Sequence, residues 1–228
     1  AICFSFPAGG LKVLPCFRGK RGICARFGMK SLNFMLIAGE PSGDFLAAEL
    51  VRQLHEEFVR RTVATASDHP PFPAAFAPRF FGAGGPKMAE AGVELAFDLT
   101  LHAVVGLADV LKNYRNFRQL FHQLVALAFV RQPDVIICVD FSGFNRRFAR
   151  TVRSQLARQS GPFNNWRPRI IQYVSPQVWA SRPWRAQTMA NDLDLVLSIF
   201  PFEKAWFGRR VPKLRVEYVG HPIIDRYA

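Results

Sequence analysis

The sequence predicts an α/β fold, a Rossmann-like parallel sheet with helices on both faces. From Asn33 onward, short apolar runs alternate with stretches of helical spacing. The runs are apolar at consecutive positions rather than at every second one, as strands buried on both faces require. One of them, Phe34-Met35-Leu36-Ile37-Ala38, passes straight into Gly39-Glu40-Pro41-Ser42-Gly43-Asp44, a glycine-bearing turn of the kind that joins a strand to a helix. About six or seven strands are expected.

Residues 1–28 are expected to stand outside that domain. Lys12, Arg18, Lys20, Arg21 and Arg26 occur there without an acidic residue, and Cys3, Cys16 and Cys24 are scattered among glycines and prolines. Basic and apolar residues are interleaved, unlike the ordered regions of a secretory signal. A transit peptide is one reading. Translated upstream sequence, with the native protein starting at Met29, is the preferred one. Residues 29–228 then form a single domain.

Within it, strands are expected at 34–39, 79–83, 134–140, 169–174, 194–199 and 214–219. Leu46, Leu50, Val51, Leu54 and Phe58 recur at helical spacing after the first strand. The Ala/Pro-rich piece 61–78 reads as a surface loop. The second strand ends in Gly82-Ala83-Gly84-Gly85-Pro86, where proline suits the first turn of a short helix. A long helix is expected from about Leu107 to Val130. Phe144, Phe148, Val152 and Leu156 mark another, and 161–168 reads as a loop.

Half the residues are apolar, enough for a sizeable core. No apolar run reaches the roughly 18 residues of a membrane span. The net charge of +13 raises nucleic-acid binding as a rival function. A large share of that excess precedes Met29, however, and no RNA-binding signature occurs, so no nucleic-acid partner is expected. Cys138, inside the run 135–139, reads as a buried small hydrophobe. No Cys/His spacing fits zinc and nothing argues for disulfides, which fits a reducing compartment.

Three places can carry chemistry. The turn 39–44 would bring a helix N-terminus to the carboxyl edge of the sheet, where ligands of open α/β folds bind. The structural alternative is an ordinary turn with Ser42 as N-cap. Asp140 closes the apolar run Val135-Ile136-Ile137-Cys138-Val139. A carboxylate there is costly to bury unpaired and could accept a proton from a sugar hydroxyl, or else cap the helix starting near Phe144. The stretch Tyr173-Val174-Ser175-Pro176-Gln177-Val178-Trp179-Ala180 offers hydroxyl, amide and stacking surfaces that suit a sugar. Arg182 and Arg185 behind it suit a phosphate, with ordinary loop packing as the alternative.

Seven motifs occur in order: G-E-P-S-G-D, G-A-G-G-P-K-M, V-V-G-L-A-D-V-L, D-F-S-G-F-N, Y-V-S-P-Q-V-W-A, P-F-E-K and V-G-H-P. Over about Leu32 to Asp225 the chain resembles lipid-A-disaccharide synthase, an inverting glycosyltransferase of the GT-B fold. The resemblance implies a Rossmann-like N-terminal GT-B domain. It also implies transfer of 2,3-diacylglucosamine from its UDP form to 2,3-diacylglucosamine 1-phosphate, giving a β(1→6) disaccharide and UDP. Carried over by position, Asp140 matches the family's important acidic residue and is the candidate catalytic base, or failing that a group that positions the acceptor. Ser42, Gly43 and Asp44 belong to the first signature, and Ser175, Gln177, Trp179 and Arg182 to the sugar-side loop. No cofactor and no catalytic metal are implied. Another GT-B transferase of envelope lipid precursors is the nearest rival.

The chain departs from the family pattern at Pro41 (Ala or Thr), Ser142 (Pro), Ser181 (Trp) and Asp109 (Glu), each time with the spacing intact. Family members continue beyond the Gly-His-Pro segment into a second domain that carries most of the UDP-sugar site. This chain is therefore expected to be the acceptor-side part, inactive alone. Diacylated substrates imply a cytoplasmic enzyme, peripheral on the inner face of the inner membrane. Val104, Val105, Leu107 and Val110 are the candidate acyl contacts, within a region 101–132 whose Lys112, Arg115, Arg118 and Arg131 suit anionic headgroups. Core packing is the alternative for that stripe.

Overall fold

The structure, a computed structural model, describes residues 2–5, 12–15, 31–65, 77–102, 114–159, 161 and 165–222. Ile2–Ser5 (β1) and Lys12–Pro15 (β2) pair antiparallel as a small separate sheet. The remaining strands are Asn33–Ala38 (β3), Arg79–Gly84 (β4), Glu94–Asp98 (β5), Val135–Val139 (β6), Arg169–Tyr173 (β7), Leu195–Ser198 (β8) and Arg215–Tyr218 (β9). They form one seven-stranded sheet in the order β5-β4-β3-β6-β7-β8-β9, and every neighbouring pair is parallel.

The helices are Pro41–Thr65 (α1), Pro86–Glu90 (α2), Tyr114–Arg131 (α3), Ser142–Arg158 (α4), Val178–Ser181 (α5), Arg185–Asp192 (α6) and Pro201–Arg210 (α7). Alternation along β3 assigns the two faces. Phe34, Leu36 and Ala38 pack with Ala47, Leu50 and Val51 of α1. Met35 and Ile37 pack with Leu124, Val125 and Ala128 of α3 and with Phe148, Val152 and Leu156 of α4. Met35, Leu36 and Ile37 are fully buried, each contributing about 1.5–3 kcal/mol of transfer free energy. Cys138 is buried too, and burial pushes its thiol up to about 12, so it behaves as core.

The order of strands reverses between β3 and β6, and the carboxyl ends of these two strands flank the switch point of the doubly wound sheet.

Several boundaries differ from expectation. Helix α1 continues through Thr65, so 61–65 are helical rather than loop. Pro41 and not Ser42 opens α1, which leaves Ser42 exposed in the first turn instead of at the N-cap. Strand β5 was not anticipated: it is an edge strand with only half-buried Leu95 and Phe97 between acidic ends. The expected start of the long helix, 107–113, lies outside the described residues, as does most of 1–28. Among the described residues, no helix is long and apolar enough to cross a membrane.

Candidate functional site

The turns after β3 and β6 meet at the switch point. Gly39 leaves room for the ring of Phe141: a Cβ at position 39 would lie 2.2 Å from it. A Cβ at Gly43 would sit 3.6 Å from the Cβ of Asp140 and 3.4 Å from the Val139 carbonyl oxygen, so the first turn of α1 reaches the end of β6. The positive end of that helix is thereby brought beside Asp140.

The backbone at the ends of β6 and β7 is strained. Asp140 (φ 47°), Phe141 (φ 41°) and Val174 (φ 67°) all occupy the left-handed region, which bulky and β-branched residues rarely adopt. Two buried amides hold it. Asn145 Nδ2 donates to the carbonyls of Val139 (3.2 Å) and Asp140 (2.8 Å). Gln172 Nε2 donates to those of Asp140 (3.1 Å), Tyr173 (3.3 Å) and Val174 (3.2 Å). The backbone of Asp140 is thus clamped from both sides, while its half-buried carboxylate accepts no hydrogen bond from the described residues. It does not cap α4, whose N-cap position is Phe141 with no side-chain cap bond. Glu40, in the turn after β3, lies within electrostatic reach of Asp140. Burial, and then the charge of Asp140, raise the Glu40 carboxyl above its ordinary range.

Asp44 is differently employed. Buried in α1, it accepts the backbone N–H groups of Gly85 (2.8 Å), Lys87 (2.9 Å) and Met88 (3.1 Å), capping α2 across the sheet edge. Gly85 must lack a side chain there, since a Cβ would fall 2.6 Å from the Asp44 carboxylate and 2.8 Å from the Thr100 hydroxyl.

The loop after β7 is organised by Glu203, which is wholly buried on α7. Trp179 Nε1 donates to it at 2.9 Å, and Ser198 donates its hydroxyl to the other carboxylate oxygen. Burial raises the Glu203 carboxyl, against hydrogen bonds from Ser198, Trp179 and Ser175 that lower it. Ser175 is buried and Trp179 half-buried against Phe202, ring centroids 5.0 Å apart. Gln177 and Arg182 remain exposed.

Of the residues singled out in the sequence, the structure brings Gly43 and Asp140 together, with Ser42 exposed on the same turn. It gathers Ser175 and Trp179 around Glu203 instead. Val104, Val105, Leu107 and Val110 lie outside the described residues. Farther along that region, Leu124, Val125 and Ala128 are core, with Phe121, Leu127 and Phe129 packed against them. Arg131 ion-pairs with Glu94 and lies 4.9 Å over the Phe81 ring. Within the described residues, the apolar stripe from Phe121 to Phe129 is therefore the inward face of α3. Sequence reasoning missed Glu40, Asn145, Gln172 and Glu203. A lone glutamine in the strand Ile170-Ile171-Gln172-Tyr173 was the available signal, and Asn145 and Glu203 stood inside quoted motifs.

A doubly wound parallel sheet with its switch point between β3 and β6 is an α/β domain of the kind that forms the N-terminal part of GT-B glycosyltransferases. Residues 34–228 match the lipid-A-disaccharide synthetase family, and the chain belongs to that family. It is 36% identical over 197 residues to a lipid-A-disaccharide synthase of Geobacter sulfurreducens, covering 86% of this chain and 43% of that protein. It is 33% identical over 195 residues to lipid-A-disaccharide synthase 1 of Legionella pneumophila strain Lens (85% and 43%). A lipid-A-disaccharide synthase of Rhodospirillum centenum is 33% identical over 197 residues (86% and 42%). The chain thus spans less than half the length of these relatives.

Proposed function

We propose that this chain is the acceptor-side part of a lipid-A-disaccharide synthase. It would bind 2,3-diacylglucosamine 1-phosphate for attack on UDP-2,3-diacylglucosamine. The observation that carries the reading is the Asp140 carboxylate, without a hydrogen bond from the described residues, on a clamped backbone at the switch point of a chain of this family.

In the proposed reaction, Asp140 accepts the proton of the acceptor 6-hydroxyl as its oxygen bonds to the anomeric carbon of the donor. The bond from that carbon to UDP breaks on the opposite face, giving inversion. Ser42, Gly43 and Glu40 line the sugar's approach at the first turn of α1. Gln177, Trp179 and Arg182 border it from the loop after β7. Ser175 and Asp44 act through others, by positioning Trp179 with Glu203 and by fixing the turn after β4.

The enzyme would collect both lipids at a bilayer surface, on the cytoplasmic side, with Val104, Val105, Leu107 and Val110 entering the acyl region. Leu101, 69% exposed immediately before that segment, supports an apolar contact there.

The test is transfer. Residues 31–222 joined to the second half of the Geobacter sulfurreducens relative should form the disaccharide from the two diacylglucosamine substrates. A well-folded chimera that transfers to a different lipid-linked acceptor, and not to diacylglucosamine 1-phosphate, would refute the assignment.

A further inference from the structure

We propose that Arg146, Arg182 and Arg185 form a phosphomonoester-binding subsite that holds the 1-phosphate of the acceptor sugar, an inference that rests on the function proposed above. Arg146 stands in the second turn of α4, Arg182 follows α5, and Arg185 opens α6. Arg146 and Arg185 line one cleft with Ser142, Gln172 and Pro176. That cleft adjoins the turn that carries the proposed base, because Gln172 on its lining donates to the Asp140 main-chain carbonyl at 3.1 Å. An attacking hydroxyl and an anomeric phosphate lie at opposite ends of one pyranose. A base on the turn after β6 and a phosphate clamp in the adjoining cleft suit that arrangement.

Among the described residues, the local positive charge is compensated only in part. Arg153 and Arg169 both pair with Asp194. Asp192, the acidic residue on the cleft wall, faces Arg150, Arg153 and Arg146 together. Among the described residues, Arg182 and Arg185 have no acidic partner in ion-pair contact. Desolvation, then the charges of Arg146 and Arg182, make the charged form of Arg185 less favourable. A dianion between these guanidinium groups would remove that repulsion and accept their paired N–H donors. The exposed hydroxyl of Ser142 and the N-terminus of the 17-residue α4 add donors at the same wall.

The experiment is calorimetric titration of the 228-residue chain with glucosamine 1-phosphate, glucosamine and phosphatidic-acid vesicles. Glucosamine 1-phosphate should bind, glucosamine should bind at least about tenfold more weakly, and Arg146→Gln or Arg185→Gln should each weaken the sugar phosphate about tenfold. Arg182→Gln, at an exposed position, repeats the test where folding is not at risk. Arginine variants that bind glucosamine 1-phosphate like the parent would overturn the proposal. So would arginine-dependent binding of the vesicles without binding of the sugar phosphate, which would make the cluster a headgroup site. Failure of the chimera to transfer, with arginine-dependent binding of the sugar phosphate intact, would instead count against the function and leave the subsite standing.

Discussion

Gln172 donates one side-chain nitrogen to the main-chain oxygen of Asp140, 3.1 Å away on the neighbouring strand's turn. The same nitrogen serves Tyr173 and Val174. A buried amide in the middle of the sheet therefore sets the backbone of the candidate base, and joins two turns whose left-handed residues would otherwise relax.

Gln172→Leu should be costly for that reason. The shape is nearly kept, but three part-buried carbonyls lose a donor. Urea unfolding should show a loss of about 1–3 kcal/mol. Unchanged stability would mean that the strained turns hold themselves.

Asp44→Ala should destabilise the fold by about 2 kcal/mol, because three backbone donors of the β4–α2 turn lose a charged acceptor. Thermal unfolding checks this. Loss of acceptor binding with unchanged stability would return Asp44 to the ligand site.

Glu203 yields a pH prediction with an unusual sign for a carboxylate. Burial raises its pKa above the ordinary 4.5, so the folded protein holds this proton more tightly than the unfolded chain. Its favourable contribution is complete below 4.5 and is lost as pH rises through the raised value. Unfolding free energies of the parent, measured relative to Glu203→Gln, should accordingly fall as pH rises above the ordinary 4.5. A rise there would contradict the burial argument.

The central strands were legible because burial on both faces leaves a run of apolar residues, as in β3 and β6. Edge strand β5 was not, since Glu94 and Asp98 bound a segment that is only half covered. The site was legible as a set of motifs but not as a set of roles. Asp44 and Asp140 both follow strand ends, yet one is consumed by backbone donors and the other's carboxylate accepts no hydrogen bond from the described residues. That difference depends on partners 41 to 44 residues away in the chain, at Gly85, Lys87 and Met88. Trp179 is a similar case. Its indole looked like a stacking surface, but its N–H is fixed by Glu203, 24 residues on.

The most direct measurement is the turnover of the chimera carrying Asp140→Asn, read beside its thermal stability. Asparagine keeps the main-chain carbonyl that Asn145 and Gln172 hold, and removes only the proton acceptor. Turnover should fall about a hundredfold or more with the unfolding midpoint unchanged. Near-normal turnover would take Asp140 out of the chemistry and contradict the account.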